Sequence, residues 1–274
     1  MRINNNPAAL AAFRNLSTNN ASVETTMERL SSGQRINRAL DDAAGLVRSE
    51  SLRTQVSSTI QATQNAQDGI SFLQTAEGAL NEVQALLQRA RTLALDAANS
   101  ATTDGGAQQQ EIEGLLAEVE AIGARTTFSG VAVFDDFTTS PLVFQVGVDS
   151  GAAGRAEINS DLRTDLTVLS GGVLVGIDVT TDPDSAIAAL DVAIESMSAT
   201  RSELGSMTSR LEATVSNLLV ARENLSASES RIRDADMALE IVNLTSAQIL
   251  ADSATAMLGQ ANVTPQAVLD LLNR

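Results

Sequence analysis

Two apolar repeats of period seven, lying far apart along the chain, constrain its fold more than any other feature. The first runs through Ala66, Leu73, Leu80, Leu87 and Ala94, thickened by Val56, Ile60, Ile70 and Val83. The second runs through Leu190, Met197, Leu204, Leu211, Leu218 and Leu225. A seven-residue period places its members on one stripe of an α-helix, and repeats sustained this long argue for coiled-coil-like packing of one long helix on another. A helix over 43–100 would extend roughly 85 Å at ~1.5 Å per residue. A compact chain of 274 residues has a radius of gyration of only ~19 Å. The sequence therefore predicts a mainly α protein, a long antiparallel helical rod rather than a globule. The other seam position reads Ile194, Arg201, Thr208, Val215 and Arg222. That mixed column implies a seam shared with other surfaces, because arginine suits a core position only if its head escapes.

Helix punctuation divides the rest. Pro7 suits a first turn, with Leu10, Phe13, Leu16 and Val23 recurring at roughly helical spacing behind it, and Ser31-Ser32-Gly33 reads as a stop. After a linker over Gln34–Leu40, Asp41 or Asp42 is a good N-cap for the long helix, which Thr102–Gly106 ends. A shorter helix is expected at about 107–125, with Ile112, Leu115, Val119 and Ile122 on one face. The period then changes. Val131–Phe134, Leu142–Val148 and Val173–Val179 are β-prone runs among Gly, Asp and Ser, which predicts a small hairpin-rich insert of four strands. Asp182-Pro183-Asp184 restarts helix with a cap, a proline and an acid in the first turn.

Composition removes most chemistry. There are 18 basic and 34 acidic residues, a formal charge of −16, and every basic residue is arginine. Lysine, histidine, cysteine, tyrosine and tryptophan are all absent. That leaves no common general base, thiol, Schiff-base amine or soft metal ligand, so neither catalysis nor a cofactor or metal is expected. Nucleic acid needs clustered cations and stacking aromatics, which an acidic chain with six Phe as its only aromatics does not offer. The first residues lack the basic and apolar regions of a secretory signal peptide, and no stretch approaches the ~20 apolar residues of a membrane helix.

The two ends are anomalous. Between Ile3 and Val23 the only charged residue is Arg14, and between Ile241 and Leu269 it is Asp252. Both stretches look helical and carry apolar positions, among them Leu10, Phe13, Leu16, Ile249, Leu250, Met257 and Leu258. Two thin helices cannot cover each other's whole circumference, and a weakly charged remainder is a poor solvated face. Burial by other copies of the same chain is the better expectation, with the ends disordered or loosely helical beforehand.

The residues at both ends resemble those of bacterial flagellins. Met27–Asn37 (MERLSSGQRIN), Asp41–Gly45 (DDAAG), Asn65–Ser71 (NAQDGIS) and Thr75–Glu82 (TAEGALNE) resemble the family's N-terminal signature. Phe128-Ser129-Gly130 and Phe144–Gly147 (FQVG) resemble its β-hairpin, and Ser230–Asp236 (SRIRDAD), Ala247–Leu250 (AQIL) and Gln260–Asn262 (QAN) its C-terminal signature. The large variable outer domains of many members have no counterpart.

That resemblance implies paired terminal helices, 1–40 with 235–274, as an inner channel-lining polymerisation domain. Residues 41–130 with 182–234 would form a helical rod domain, with 131–181 as its β-rich insert. It implies an extracellular homopolymer, the hollow flagellar filament that serves motility, exported by the flagellar type III pathway. An export chaperone, the filament cap and the hook-junction proteins are implied as partners. Leu269, Leu271 and Leu272 resemble the segment shown to the chaperone, and also suit inner-layer packing. Members sensed by an animal Toll-like receptor use an Arg, a Leu and a Glu on the rod, to which Arg89, Leu93 and Glu111 correspond. A hook–filament junction protein is the nearest alternative, while a zinc-protease flagellin needs histidine and an unrelated coiled-coil scaffold would carry charged ends.

Overall fold

The computed structural model describes residues 6–99, 105–134, 142–147, 155–158 and 177–272. These form helices α1 (Pro7–Ser32), α2 (Ala43–Ala97), α3 (Gly106–Arg125), α4 (Pro183–Arg233) and α5 (Met237–Leu272), with short strands β1 (Thr127–Phe128), β2 (Val131–Ala132), β3 (Leu142–Gln145) and β4 (Arg155–Ile158). The chain divides into two compact units, Ser57–Arg222, and Met1–Val56 with Glu223–Arg274, so α2 and α4 contribute to both.

In the Ser57–Arg222 unit the two heptad columns are the core. Leu73, Leu80 and Leu87 of α2 and Leu190, Met197 and Leu204 of α4 are at most 1% exposed, Leu211 is buried and Leu218 half-buried. The helices run antiparallel, as Arg91–Asp191 at 2.5 Å and Arg201–Glu77 at 3.8 Å require. Arg201 lies in the mixed column, and its head escapes: Nη1 donates to Gln84 Oε1 and Nη2 faces Glu77. α3 adds Ile112 and Val119 to the same core.

The β elements dock on α2 through aromatics. Ser129 (φ 51°) and Gly130 (φ 84°) both take positive φ, the requirement of a two-residue type I′ hairpin between β1 and β2. Phe128 then meets Phe72 edge-on at 5.9 Å, and Phe144 of β3 tilts onto the same ring at 6.1 Å. Gly69 makes room, since a Cβ there would sit 3.2 Å from Leu211 and 3.3 Å from Phe144. Asn65 Nδ2 completes the contact by donating to the Gln145 carbonyl at 2.8 Å.

The expected strands need two corrections. β2 stops at Ala132: Val133 N–H still donates to the Thr126 carbonyl at 3.1 Å, but the side chains of Val133 and Phe134 are both buried in the core. Of the run 173–179, residues 173–176 lie outside the described residues, while Ile177 and Asp178 are irregular and Val179–Thr181 form a turn. Competing polar partners explain the turn: the Gln109 side chain accepts from Val179 N–H and donates to the Ile177 carbonyl, and Asp178 accepts from Thr180 and Thr181. Those bonds hold the Asp178 carboxyl down at about 2. Asp182 caps α4 through Ser185 N–H, as expected.

In the other unit α1 and α5 pair antiparallel. Asn6 Nδ2 donates to the Ala261 carbonyl at 2.8 Å, Arg29 faces Glu240 at 3.5 Å, and Ala235 N–H donates to the Gly33 carbonyl at 3.0 Å. Asn6 also caps α1 by accepting from Ala9 N–H, and Gly33 (φ 71°) closes it. Between the two linkers, Gln34 and Asp234 form an antiparallel bridge. Arg233 reinforces it, with Nη1 on Glu50 at 2.7 Å and Nε on Gln34 at 3.1 Å. Asp42 caps α2 through Gly45 N–H, whereas Asp41 folds the preceding turn by accepting from Asn37 and Arg38 N–H groups.

Candidate functional site: apolar faces of the terminal helices

α1 and α5 bury very little of themselves. Among their described side chains only Thr26, Glu240 and Ala247 are buried. Eleven large apolar side chains stand exposed instead: Leu10, Phe13 and Met27 on α1, and Met237, Leu239, Ile241, Val242, Ile249, Leu250, Met257 and Val263 on α5. Leu16 and Leu258 are half-buried. The side chains of Leu269, Leu271 and Leu272 lie outside the described residues, although the helix reaches Leu272. Arg14, Glu24 and Asp252 are exposed, too few charges to solvate these faces. Exposed apolar side chains in this number are what a surface for docking another molecule requires.

The seam between the helices is correspondingly thin. Its one buried charge is Glu240, opposite Arg29, and the fit is incomplete: Arg29 Nε and Glu240 Oε2 have no hydrogen-bond partner. The pairing therefore rests on its polar ends at Asn6–Ala261 and Gly33–Ala235 as well as on apolar contact. The charge-poor stretches led to Leu10, Phe13, Ile249, Leu250 and Met257. They did not single out Met27, Met237, Leu239, Ile241, Val242 or Val263, although the last three lie in the same charge-poor run. Exposed Leu40 and Val47 escaped notice too, since isolated apolar residues beside a linker carry no periodic signal.

The trio Arg89, Leu93 and Glu111 belongs to the other unit and is only partly together on its surface. Arg89 Nη2 meets Glu111 Oε1 at 2.8 Å, and both side chains are well exposed. Leu93, expected beside Arg89, is 8% exposed and part of the core. A step of four residues rotates a helix by roughly 40° beyond a full turn, enough here to carry the side chain inward. Among the described residues no group of acidic, histidine or cysteine side chains could hold a metal, and no helix is long and apolar enough to cross a membrane.

Comparison with known proteins gives this arrangement a family context. The profile of the bacterial flagellin N-terminal helical region matches residues 3–139, and that of the C-terminal helical region matches 187–272. A flagellin of Halalkalibacterium halodurans is 45% identical over 276 residues, covering 99% of this chain and 100% of that one. A flagellin of Bacillus subtilis is 42% identical over 305 residues, with the same coverage. A flagellar filament 33 kDa core protein of Treponema phagedenis is 42% identical over 285 residues, again with 99% and 100% covered.

Proposed function

Because this chain belongs to the bacterial flagellin family, we propose that its exposed terminal-helix faces are the surfaces by which copies add to one another in a flagellar filament. The chain is a filament subunit, a structural protein, and a small one without a large outer domain. The observation that carries the placement of its assembly surface is the run of eleven uncovered apolar side chains on α1 and α5, against three buried positions. Identical neighbours would cover them, so that ordering and burial of 1–40 and 235–274 supply the driving force of assembly. The helices 41–130 and 182–234, with the insert 131–181, would serve as a preformed body.

The remaining parts of the reading follow the family. The subunit works outside the cell, leaves through the flagellar export apparatus with a chaperone on its C-terminal segment (Leu269, Leu271 and Leu272 included), and is added between hook-junction and cap proteins. A junction role is the weaker reading, since the relatives carry filament-subunit names. Absence of catalysis is supported by a composition with no histidine, cysteine or lysine. An animal receptor reading this protein would engage the exposed Arg89–Glu111 pair, with Leu93 shaping the helix from beneath. Electron microscopy of purified protein tests the central proposal: hollow filaments are expected from the full chain, and none from a chain lacking 255–274, which should remain a folded monomer. Normal filaments from that truncation would refute it.

A further inference from the structure

Arginine is the only basic side chain in this protein and carboxylates are its only acids, at 18 and 34. Carboxylates ordinarily titrate near ~4 and arginine above ~12; every side chain that titrates between about 6 and about 11 is histidine, cysteine, tyrosine or lysine. None of these occurs. The sequence thus holds one charge state across about five pH units, the α-amino group aside.

The fold uses that property where pH would otherwise matter. Ion pairs between helices are arginine–carboxylate throughout the described residues: Arg91–Asp191 and Arg201–Glu77 join α2 and α4, Arg89–Glu111 joins α2 and α3, Arg233–Glu50 joins α4 and α2, and Arg29–Glu240 joins α1 and α5. The other polar groups bonded to these arginines, Gln84 at Arg201 and Gln34 at Arg233, do not titrate. A lysine in any of the five places would discharge near ~10.4. The hydrogen bond from Arg91 meanwhile holds the Asp191 carboxyl below its ordinary range and raises the Arg91 guanidinium, which widens the interval over which both are charged.

We propose that this chain is charge-locked, its folding and self-association indifferent to pH from about 6 to about 11, and that it is suited to neutral and strongly alkaline surroundings alike. Its pH sensitivity lies wholly on the acid side. There the charge of −16 collapses toward the isoelectric point of 4.3, and the repulsion that keeps copies apart goes with it. One consequence rests on the filament reading: a subunit leaving the cell would meet no change in its side-chain charge at any outside pH from about 6 to about 11. The charge lock itself does not depend on that reading.

The test uses the full chain between pH 6.5 and 11, reading electrophoretic mobility, the melting midpoint and the critical concentration for polymerisation. A companion variant carries Arg91→Lys, Arg201→Lys and Arg233→Lys. The natural chain should change mobility by no more than its one α-amino charge, about one part in sixteen, with a flat melting midpoint and critical concentration. The variant should match it up to about pH 9; above that its melting midpoint should fall and its anodic mobility rise as its lysines discharge. A natural chain that loses stability as steeply as the variant would overturn the proposal, as would a mobility change of several charges. So would a variant profile as flat as the natural one, which would show that arginine in these pairs is immaterial. If no polymer forms, mobility and melting still decide the matter, so failure of the filament reading is separable from failure of this one.

Discussion

Replacing Phe13 by alanine separates assembly from folding more cleanly than any other single change. Phe13 is 59% exposed on α1, so of the roughly 200 Å² a phenylalanine can bury, about 120 Å² remains for a neighbouring copy to cover. At ~25 cal/mol per Å² that area is worth ~3 kcal/mol, and an alanine methyl in its place retains part of it. A net loss of ~2 kcal/mol raises the critical concentration for filament growth about 30-fold. The single chain should scarcely notice: the exposed part of the ring contacts nothing within it, and alanine's better helix propensity offsets the little packing that is lost. Sedimentation of polymer from a concentration series gives the first quantity, and thermal unfolding followed by circular dichroism gives the second. An unchanged critical concentration would show that no neighbour covers Phe13. A melting midpoint lowered as far as by a core substitution would show that the side chain is buried before assembly. Either result refutes the assembly surface as drawn.

Other substitutions have the opposite signature or probe the turns. Leu80→Ala empties a site that is 1% exposed in the α2–α4 core, and should cost ~2–5 kcal/mol in the single chain by thermal melting. Gly45→Ala, which in an open helix would stabilise by up to ~1 kcal/mol, should here destabilise by a similar amount, because the new Cβ collides with the Asp42 carboxyl that caps α2 and lies 2.8 Å from Ile36 Cδ1. Urea unfolding gives the sign. In acid, Asp178 titrates at about 2 in the folded chain against an ordinary 3.8, and Asp41, Asp182 and Asp191 are also lowered. The unfolded chain binds more protons between those values, so this stabilisation is present above about pH 4 and is lost as pH falls through about 2. Melting midpoints from pH 5 to 2 should fall accordingly, and Asp178→Asn should remove part of the slope.

Legibility in the sequence followed periodicity. Leu73, Leu80, Leu87, Leu190, Met197 and Leu204 repeat often enough that only a helix pair can bury them together, and all six are in the core. The cap at Asp182 and the αL glycine at Gly33 were equally plain, since each satisfies donors or a φ value within a few residues, whereas the α2 cap was narrowed only to Asp41 or Asp42. Where a side chain 60 or more residues away decides the outcome, the local pattern misleads. Val173–Val179 alternates as a strand should, yet in the described part, 177–179, Gln109 takes up the polar groups of Ile177 and Val179 that a ladder would use. Nearer in sequence, Arg89 and Leu93 share a face by spacing, yet Leu93 is buried in the core while Arg89 stays exposed and pairs with Glu111, 22 residues on. The Arg233–Gln34–Glu50 cluster was invisible for the same reason, joining residues separated by 199 and 183 positions.

The two kinds of helix in this chain differ in what their apolar residues await. In the Ser57–Arg222 unit, each apolar stripe has its partner within the same chain, and charged residues such as Glu82, Glu203 and Arg210 occupy the outward positions. On α1 and α5 most outward positions are apolar or uncharged, and the exposed charges Arg14, Glu24 and Asp252 are too sparse to make any one face of either helix a solvated one. Tighter pairing of α1 with α5 cannot cure this, because contact along one stripe leaves the opposite stripe of each helix bare. Only surfaces approaching from outside the pair can cover them. A lone copy must therefore either carry that exposed surface or loosen these helices, and the incomplete Arg29–Glu240 contact lowers the cost of loosening. Amide exchange on isolated protomers should then be fast along Pro7–Ser32 and Met237–Leu272 and slow through the α2–α4 core, with the contrast abolished in the polymer.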